Sequence, residues 1–337
     1  MRALAPFRAV GWAAGVLGSQ KSFKANPILG SPALNRRGLH RRRVALAAAM
    51  AERRRRAMAA RLEPADREAF DRDGFVVKPD FLGDGLHRLR EAILARPLPA
   101  REMRQGRTVT RMTPLDQVPE ARAVALRSDL RRLMGYAAGR GGEPVLFIQT
   151  VIADPSRGGA DPQTAMHADT FHATAKCWLF LCDVGEEDGP FVFVPGSHRL
   201  TPERLDWEHR QSLVAVEEGG HHALGSFRIV PERLPALGYD RPPRRVAVKA
   251  GTLVVADTYG FHHRAPSARP TTRLELHGHI RRNPFLPWNG LDPLALPGLR
   301  GRQIALFHRW LALSERRGRA GIWKDAGPVT ADAPARV

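Results

Sequence analysis

The chain has 337 residues, 43% of them hydrophobic, enough to bury a large core in one elaborated domain or two. No apolar run approaches the roughly 18 residues a membrane-spanning helix needs, and the apolar stretch at residues 4–17 is broken by Arg8 with no clear cleavage pattern after it, so neither an integral membrane protein nor a secreted one is expected. The formal charge of +19 suggests a nucleic-acid binder only until it is divided along the chain: residues 1–62 hold fourteen Lys or Arg against the single acid Glu52, so thirteen of the nineteen charges sit there.

Residues 1–62 therefore read as a basic extension, partly helical or flexible. Pro6, Pro27, Gly30 and Pro32 punctuate its first half, and residues 41–62 are Ala- and Arg-rich with strong helix propensity. Four consecutive arginines at 53–56 would circle a helix and spoil any apolar stripe, so a solvated, partly disordered arm is expected. A tether to anionic lipid or nucleic acid is the functional alternative.

A domain begins near residue 63. Residues 66–82 read as a helix, a turn at Asp73 and Gly74, and a strand at 75–78. Leu82, Leu86, Leu89 and Ile93 fall at helical spacing until Pro97, and Leu126, Leu130, Leu133, Met134 and Ala137 repeat the pattern, so helices precede most strands. Strand signal follows at 144–153, 176–183, 191–194, 246–249, 252–256 and 272–279. Many short strands with turns between them suit a sandwich or jelly roll, mainly β with flanking helices. Residues 201–244 carry little strand signal and read as a lid-like insertion. A carboxy-terminal tail, 286–337, is expected to be helical, with Ile304, Phe307 and Leu311 on one face packing on the core. Cys177 and Cys182 are oddly spaced in a predicted strand, which puts them on opposite faces; reduced thiols and a cytoplasmic protein are expected.

The chemistry concentrates at residues 163–199. His167 and Asp169 stand two apart, so in an extended segment an imidazole and a carboxylate project to one side. A 2-His-1-carboxylate iron site needs one more imidazole from a distant strand. His262 and His263 offer it, and because neighbours in an extended chain point opposite ways, only one of the two should bind. Arg273 lies eleven residues beyond His262, on the same predicted face as Glu275, His277 and His279. Its guanidinium suits the far carboxylate of a dicarboxylic co-substrate chelating the metal. Lys176, Trp178 and Phe180 share a strand face, so if the indole looks inward the lysine does too.

With DRDGFVV at 71–77, HADTFH at 167–172, DGPFVFVPGSH at 188–198, DTYGFHHRAP at 257–266 and TTRLELH at 271–277, the chain resembles the phytanoyl-CoA dioxygenase family of iron(II)- and 2-oxoglutarate-dependent oxygenases over about residues 65–285. The resemblance implies a double-stranded β-helix, the cupin-like jelly roll, as the core of a dioxygenase domain at 63–285, the jelly roll itself spanning about 143–285. It implies Fe(II), 2-oxoglutarate and O2 as cofactor and co-substrates, with ligands His167, Asp169 and His262, Arg273 on the 2-oxoglutarate carboxylate, and Trp178 and Gln149 lining that pocket; His263 stays open as the alternative ligand. Lys176 joins the cofactor-binding candidates by its shared face with Trp178.

The implied reaction is hydroxylation of an aliphatic C–H in a small-molecule or lipid-like substrate. Two departures stand out: Arg264 occupies a position where relatives often carry a small or hydroxyl residue, and the segment from Asp169 to Trp178 is shorter than in the phytanoyl-CoA enzymes, so their substrate is not carried over. Asp169 argues against the halogenating variant, in which a small residue replaces the carboxylate. The rival from another class is a non-catalytic jelly-roll binding protein with a basic arm for anionic partners. Nucleic acid is not expected as a partner of the catalytic body.

Overall fold

The computed structural model describes residues 5–287, 292–319 and 321–337; residues 1–4 of the basic extension and 288–291 and 320 of the expected tail lie outside them. Three helices come first: α1 (Ala5–Val16), α2 (Pro32–Arg36) and the long α3 (Leu39–Met58). Helix α4 (Pro64–Asp73) stops at Gly74, whose φ of 84° turns the chain into strand β1 (Phe75–Lys78). Helix α5 (Gly85–Leu94), hairpin β2 (Leu98–Gln105) and β3 (Thr108–Thr113), and helices α6 (Pro119–Ala125) and α7 (Ser128–Ala137) lead to β4 (Val145–Ala153). Strands β5 (Ala175–Phe180) and β6 (Phe191–Phe193) follow, then α8 (Pro202–Glu218) and α9 (Gly220–Ala223). The chain closes with β7 (Arg244–Val246), β8 (Leu253–Asp257), β9 (His262–Arg264), β10 (Thr271–Ile280), α10 (Gln303–Arg316) and β11 (Lys324–Val329).

The strands form two antiparallel sheets, one of eight strands in the order β1-β8-β5-β10-β4-β3-β2-β11 and one of three, β7-β6-β9. Alternation sorts each central strand into two cores. Cys177, Leu179, Val255 and Leu276 point toward α5 and α7, burying Leu89, Ile93, Leu130 and Met134. Trp178, Phe180 and Val254 point the other way and meet Phe191, Phe193 and Val246 of the small sheet. The space between the sheets at this second face holds the site.

Residues 1–62 are not a solvated arm where they are described. Helix α3 buries His40, Arg43, Val44, Ala47, Ala51, Arg54, Arg55 and Met58, a stripe at three- and four-residue spacing in which arginine replaces hydrocarbon. Of the four arginines, Arg53 and Arg56 are exposed, whereas Arg54 and Arg55 turn inward. Arg54 donates to the carbonyls of Gly139 (2.6 Å), Leu286 (3.0 Å) and Pro284 (3.1 Å). Arg55 donates to Tyr136 and Ala137 at the end of α7 and to Asp257 at 2.6 Å. Guanidinium forks thus satisfy carbonyls that a helix end leaves orphaned.

Other expectations also change. The segment 201–244 is substantially helical: α8 packs on α2 and α3, and Ile229, Leu234, Leu237 and Tyr239 join a core with Met166, Ala168 and Phe261. Strands β2 and β3 precede α6 and α7; their charges hide them, since Arg111 and Glu102 form a fully buried pair at 2.6 Å and Arg111 also donates to the carbonyls of Thr330, Ala331, Ala333 and Pro334. The tail is not only helical. Strand β11, whose Gly327 and Pro328 read as a turn, pairs with β2 at the sheet edge, where proline's missing donor is tolerated.

Candidate metal centre and co-substrate cavity

His167 and His262 exchange both backbone hydrogen bonds, His167 N to His262 O and His262 N to His167 O, each 3.0 Å. Directly opposed residues of an antiparallel pair share a face, so the two rings come together with centroids 4.6 Å apart. His167 lies outside any regular strand, yet the segment is extended and pinned on both flanks: Ala168 N donates to Phe227 O at 3.1 Å and Asp169 N to Thr258 O at 3.0 Å. Each imidazole gives its Nδ1 proton to a carbonyl, Ala165 O at 2.7 Å for His167 and Gly260 O at 2.8 Å for His262. That fixes the tautomer and leaves Nε2 as a bare lone pair.

Both Nε2 atoms face Asp169 Oδ1, at 3.6 Å from His167 and 3.7 Å from His262. His262 Nε2 is buried with no hydrogen-bond partner, and one donor atom from each of the three residues lies within 4.8 Å of the others. Two nitrogens and one oxygen converging on an otherwise orphaned position fit a divalent cation of iron's preference. His263 is outside this cluster and donates its Nδ1 proton to Arg264 O. Burial pushes the Asp169 carboxyl up, but the Lys176 ammonium and then the His167 and His262 rings outweigh it and hold the group well below the usual carboxylate range. Burial brings His262 down to about 3, so it stays a neutral ligand.

Beside the cluster is a cavity of about 230 Å³ whose lining includes His167, His262 and Arg273 together with Gln149, Lys176 and Trp178. Register explains the grouping. Across β4, β10 and β5 lie the rows Gln149–Glu275–Phe180, Phe147–His277–Trp178 and Val145–His279–Lys176, with Arg273 opposite Val151 one step along. Lys176 spans to Asp169 Oδ2 at 2.6 Å. Gln149 Nε2 donates to Glu275 Oε1 at 2.5 Å, and the Trp178 ring packs 4.4 Å from Phe191, which itself sits 5.8 Å from His262. Arg273 is buried; its Nη1 donates to Gly189 O, while Glu275 lies 3.3 Å from its Nε without making a hydrogen bond. Arg264 lines the same wall but is neutralised by Asp161 at 2.8 Å. A buried guanidinium with an unused Nε at one end and the donor cluster at the other suits a short dicarboxylate.

Three further residues at the centre escape sequence reasoning. Lys21, from the segment before α2, donates to Asp169 O at 2.5 Å, and nothing in the sequence links positions so far apart. Arg228 faces His167 through an antiparallel bridge. Arg281 alone carries a signal, the odd-numbered alternation of Arg273, His277 and His279 continued one residue past β10. His172 and His198, by contrast, line a different cavity, between α3 and the sheet domain.

A family model described as Phytanoyl-CoA dioxygenase (PhyH) matches residues 70–268, more than half of the chain. The ectoine dioxygenase of Halomonas elongata is 29% identical over 237 residues, covering 63% of this chain and 68% of that enzyme. Among solved structures, the non-heme alpha ketoglutarate dependent epimerase SnoN from nogalamycin biosynthesis is 22% identical with a TM-score of 0.42, covering 63% of this chain and 80% of SnoN. HygX from Streptomyces hygroscopicus, crystallised with nickel, 2-oxoglutarate and hygromycin B, is 16% identical with a TM-score of 0.41, covering 65% of this chain and 86% of its own. The chain belongs to the phytanoyl-CoA dioxygenase family.

Proposed function

We propose that this family member is an iron(II)- and 2-oxoglutarate-dependent dioxygenase that hydroxylates an aliphatic C–H of a small-molecule substrate, releasing succinate and carbon dioxide. The observation that carries the reading is the buried convergence of His167, Asp169 and His262 on a position where His262 Nε2 has no other partner. When bound, iron(II) would let dioxygen, the oxidant, draw two electrons from 2-oxoglutarate as it is decarboxylated to succinate and two from the substrate C–H, one oxygen atom going to each product.

The chain's own residues do the rest. The two imidazoles keep their Nδ1 protons on carbonyls and so present Nε2 to the metal. Lys176 occupies Asp169 Oδ2, so the carboxylate would offer the metal a single oxygen. Arg273 takes the distal carboxylate of 2-oxoglutarate from the cavity end, with Gln149 orienting Glu275 behind it. Trp178 and Phe191 keep water from the metal's flank. The two facing sheets form the double-stranded β-helix of a domain spanning residues 63–285, with 201–244 as its lid. No helix among the described residues is long and apolar enough to cross a membrane.

Anaerobic titration of the purified protein with iron(II) and 2-oxoglutarate tests this. A weak visible charge-transfer band should appear in the wild type and require much more 2-oxoglutarate in Arg273→Ala. Bound iron with no band at any 2-oxoglutarate concentration would overturn the reading and bring forward a binding protein.

A further inference from the structure

His167 borders a second chamber besides the cavity that ends at Arg273. It has a volume of about 620 Å³ and its wall includes Asp169 itself, so whatever fills it touches the metal ligands. Its charged lining is lopsided. Lys21, Arg228 and Arg281 face it, and among the described residues Asp169 is the one acid there. That carboxylate has its Oδ2 paired with Lys176 and its Oδ1 turned to the donor cluster with the two imidazoles.

The three cations differ in how far they are committed. Arg228 donates to the carbonyls of Ser226 (3.3 Å) and Pro162 (3.2 Å) and so is held flat against the wall. Lys21 makes one hydrogen bond, to Asp169 O, and its ammonium retains further N–H groups. Arg281 stands at the exposed rim, one residue past the end of β10, and among the described residues it forms no ion pair. Cations gathered in a concave, protein-walled space attract anions strongly, and a guanidinium beside an ammonium matches a carboxylate or phosphoryl group in shape and charge.

We propose that this chamber is the substrate site, and that the substrate is a small molecule bearing a carboxylate or phosphate that Lys21 and Arg281 hold while its carbon skeleton lies over the metal ligands. The proposal rests on the oxygenase reading above and adds the substrate class. It also makes residues 19–22, which lie outside the family match at 70–268, part of the active site.

The full-length protein loaded anaerobically with iron(II) and saturating 2-oxoglutarate, so that Arg273 is taken, is titrated with four length-matched probes: butyrate, butyl phosphate, butyramide and butylamine. Perturbation of the charge-transfer band reports binding beside the metal. At least one anion should bind about tenfold or more tighter than the amide and the amine, and whichever of the two anions is preferred identifies the group. Lys21→Met and Arg281→Gln, which remove charge while keeping reach, should each erase most of that preference without moving the 2-oxoglutarate requirement. Equal binding of butyramide by the wild type overturns the proposal without recourse to any variant, and so does an anion preference that survives in the double variant. A wild type that develops no band sinks the oxygenase reading itself, whereas a normal band with no anion preference sinks only the substrate class.

Discussion

The β4–β10–β5 wall and helix α3 both deliver charged side chains to the interior, by different means. The wall does it through register: once the strands pair, alternation puts Gln149, Arg273, His277, Trp178 and Lys176 on one side, and each charge there lines the candidate cavity. Helix α3 does it through carbonyl capping: Arg54 and Arg55 enter the interior because the ends of α7 and of the 284–286 segment present unpaired oxygens, and they serve the fold. Buried charge is therefore not one phenomenon here. On the wall it is left partly unsatisfied, as at Arg273 Nε and Glu275 Oε2, and under the helix it is largely satisfied.

The largest expected effect separates the two regions outright. Deleting residues 1–62 uncovers Val44's partners and leaves Asp257 without its cation, so the truncated chain should fail to give a cooperative unfolding transition by circular dichroism; a free-standing, fully active 63–337 would show that the segment is an appendage after all. Asp169→Ala should reduce substrate-coupled succinate release to background while circular dichroism still shows a folded protein, since the side chain belongs to the donor cluster and to no apolar core. Active Asp169→Ala protein would refute the triad.

Arg55→Met should cost about 3–5 kcal/mol in denaturant unfolding, because a buried Asp257 carboxylate is left unpaired. The neighbouring Arg56→Met, exposed, should stay within about 0.5 kcal/mol. If the two cost the same, the inward turn of Arg55 is wrong.

Acid probes the seam between the regions, where His172 and His198 line the cavity beneath α3. Burial lowers His172 to about 3 and depresses His198 well below its ordinary value, with the nearby arginine charges adding to both shifts. Below pH 6.5 the unfolded chain binds protons at these positions and the folded chain does not. Stability should then fall as pH drops, by up to about 1.4 kcal/mol per unit for each imidazole, until pH reaches the folded pKa. His198→Asn should flatten that slope, and an unchanged slope would mean that acid acts elsewhere.

Much of the site was legible before any coordinates, for a reason tied to particular residues. His167 with Asp169, and Arg273 with His277, are related by period-two spacing, which a sequence displays directly. The distal histidine was narrowed to two neighbours and chosen by family resemblance; the backbone pair between His167 and His262 supplies the physical reason. What was not legible depends on partners far along the chain. Arg54, Arg55 and Arg111 look like solvated charges because most of their acceptors are carbonyls, which every residue carries and no sequence marks. Strands β2 and β11 hid behind buried ions, glycine and proline for the same reason, and the cavity residues of β2 and β3, Met103 and Thr110 among them, were missed with them.

The backbone pair between His167 and His262 has a consequence for how such an enzyme can change. The distance between the two imidazoles is set by peptide groups, which mutation does not alter, whereas the chamber beside them is assembled from side chains of several separate segments. Drift can therefore redraw what the enzyme accepts, one segment at a time, without disturbing the reactive centre. Heredity has a fixed tool here and an exchangeable grip.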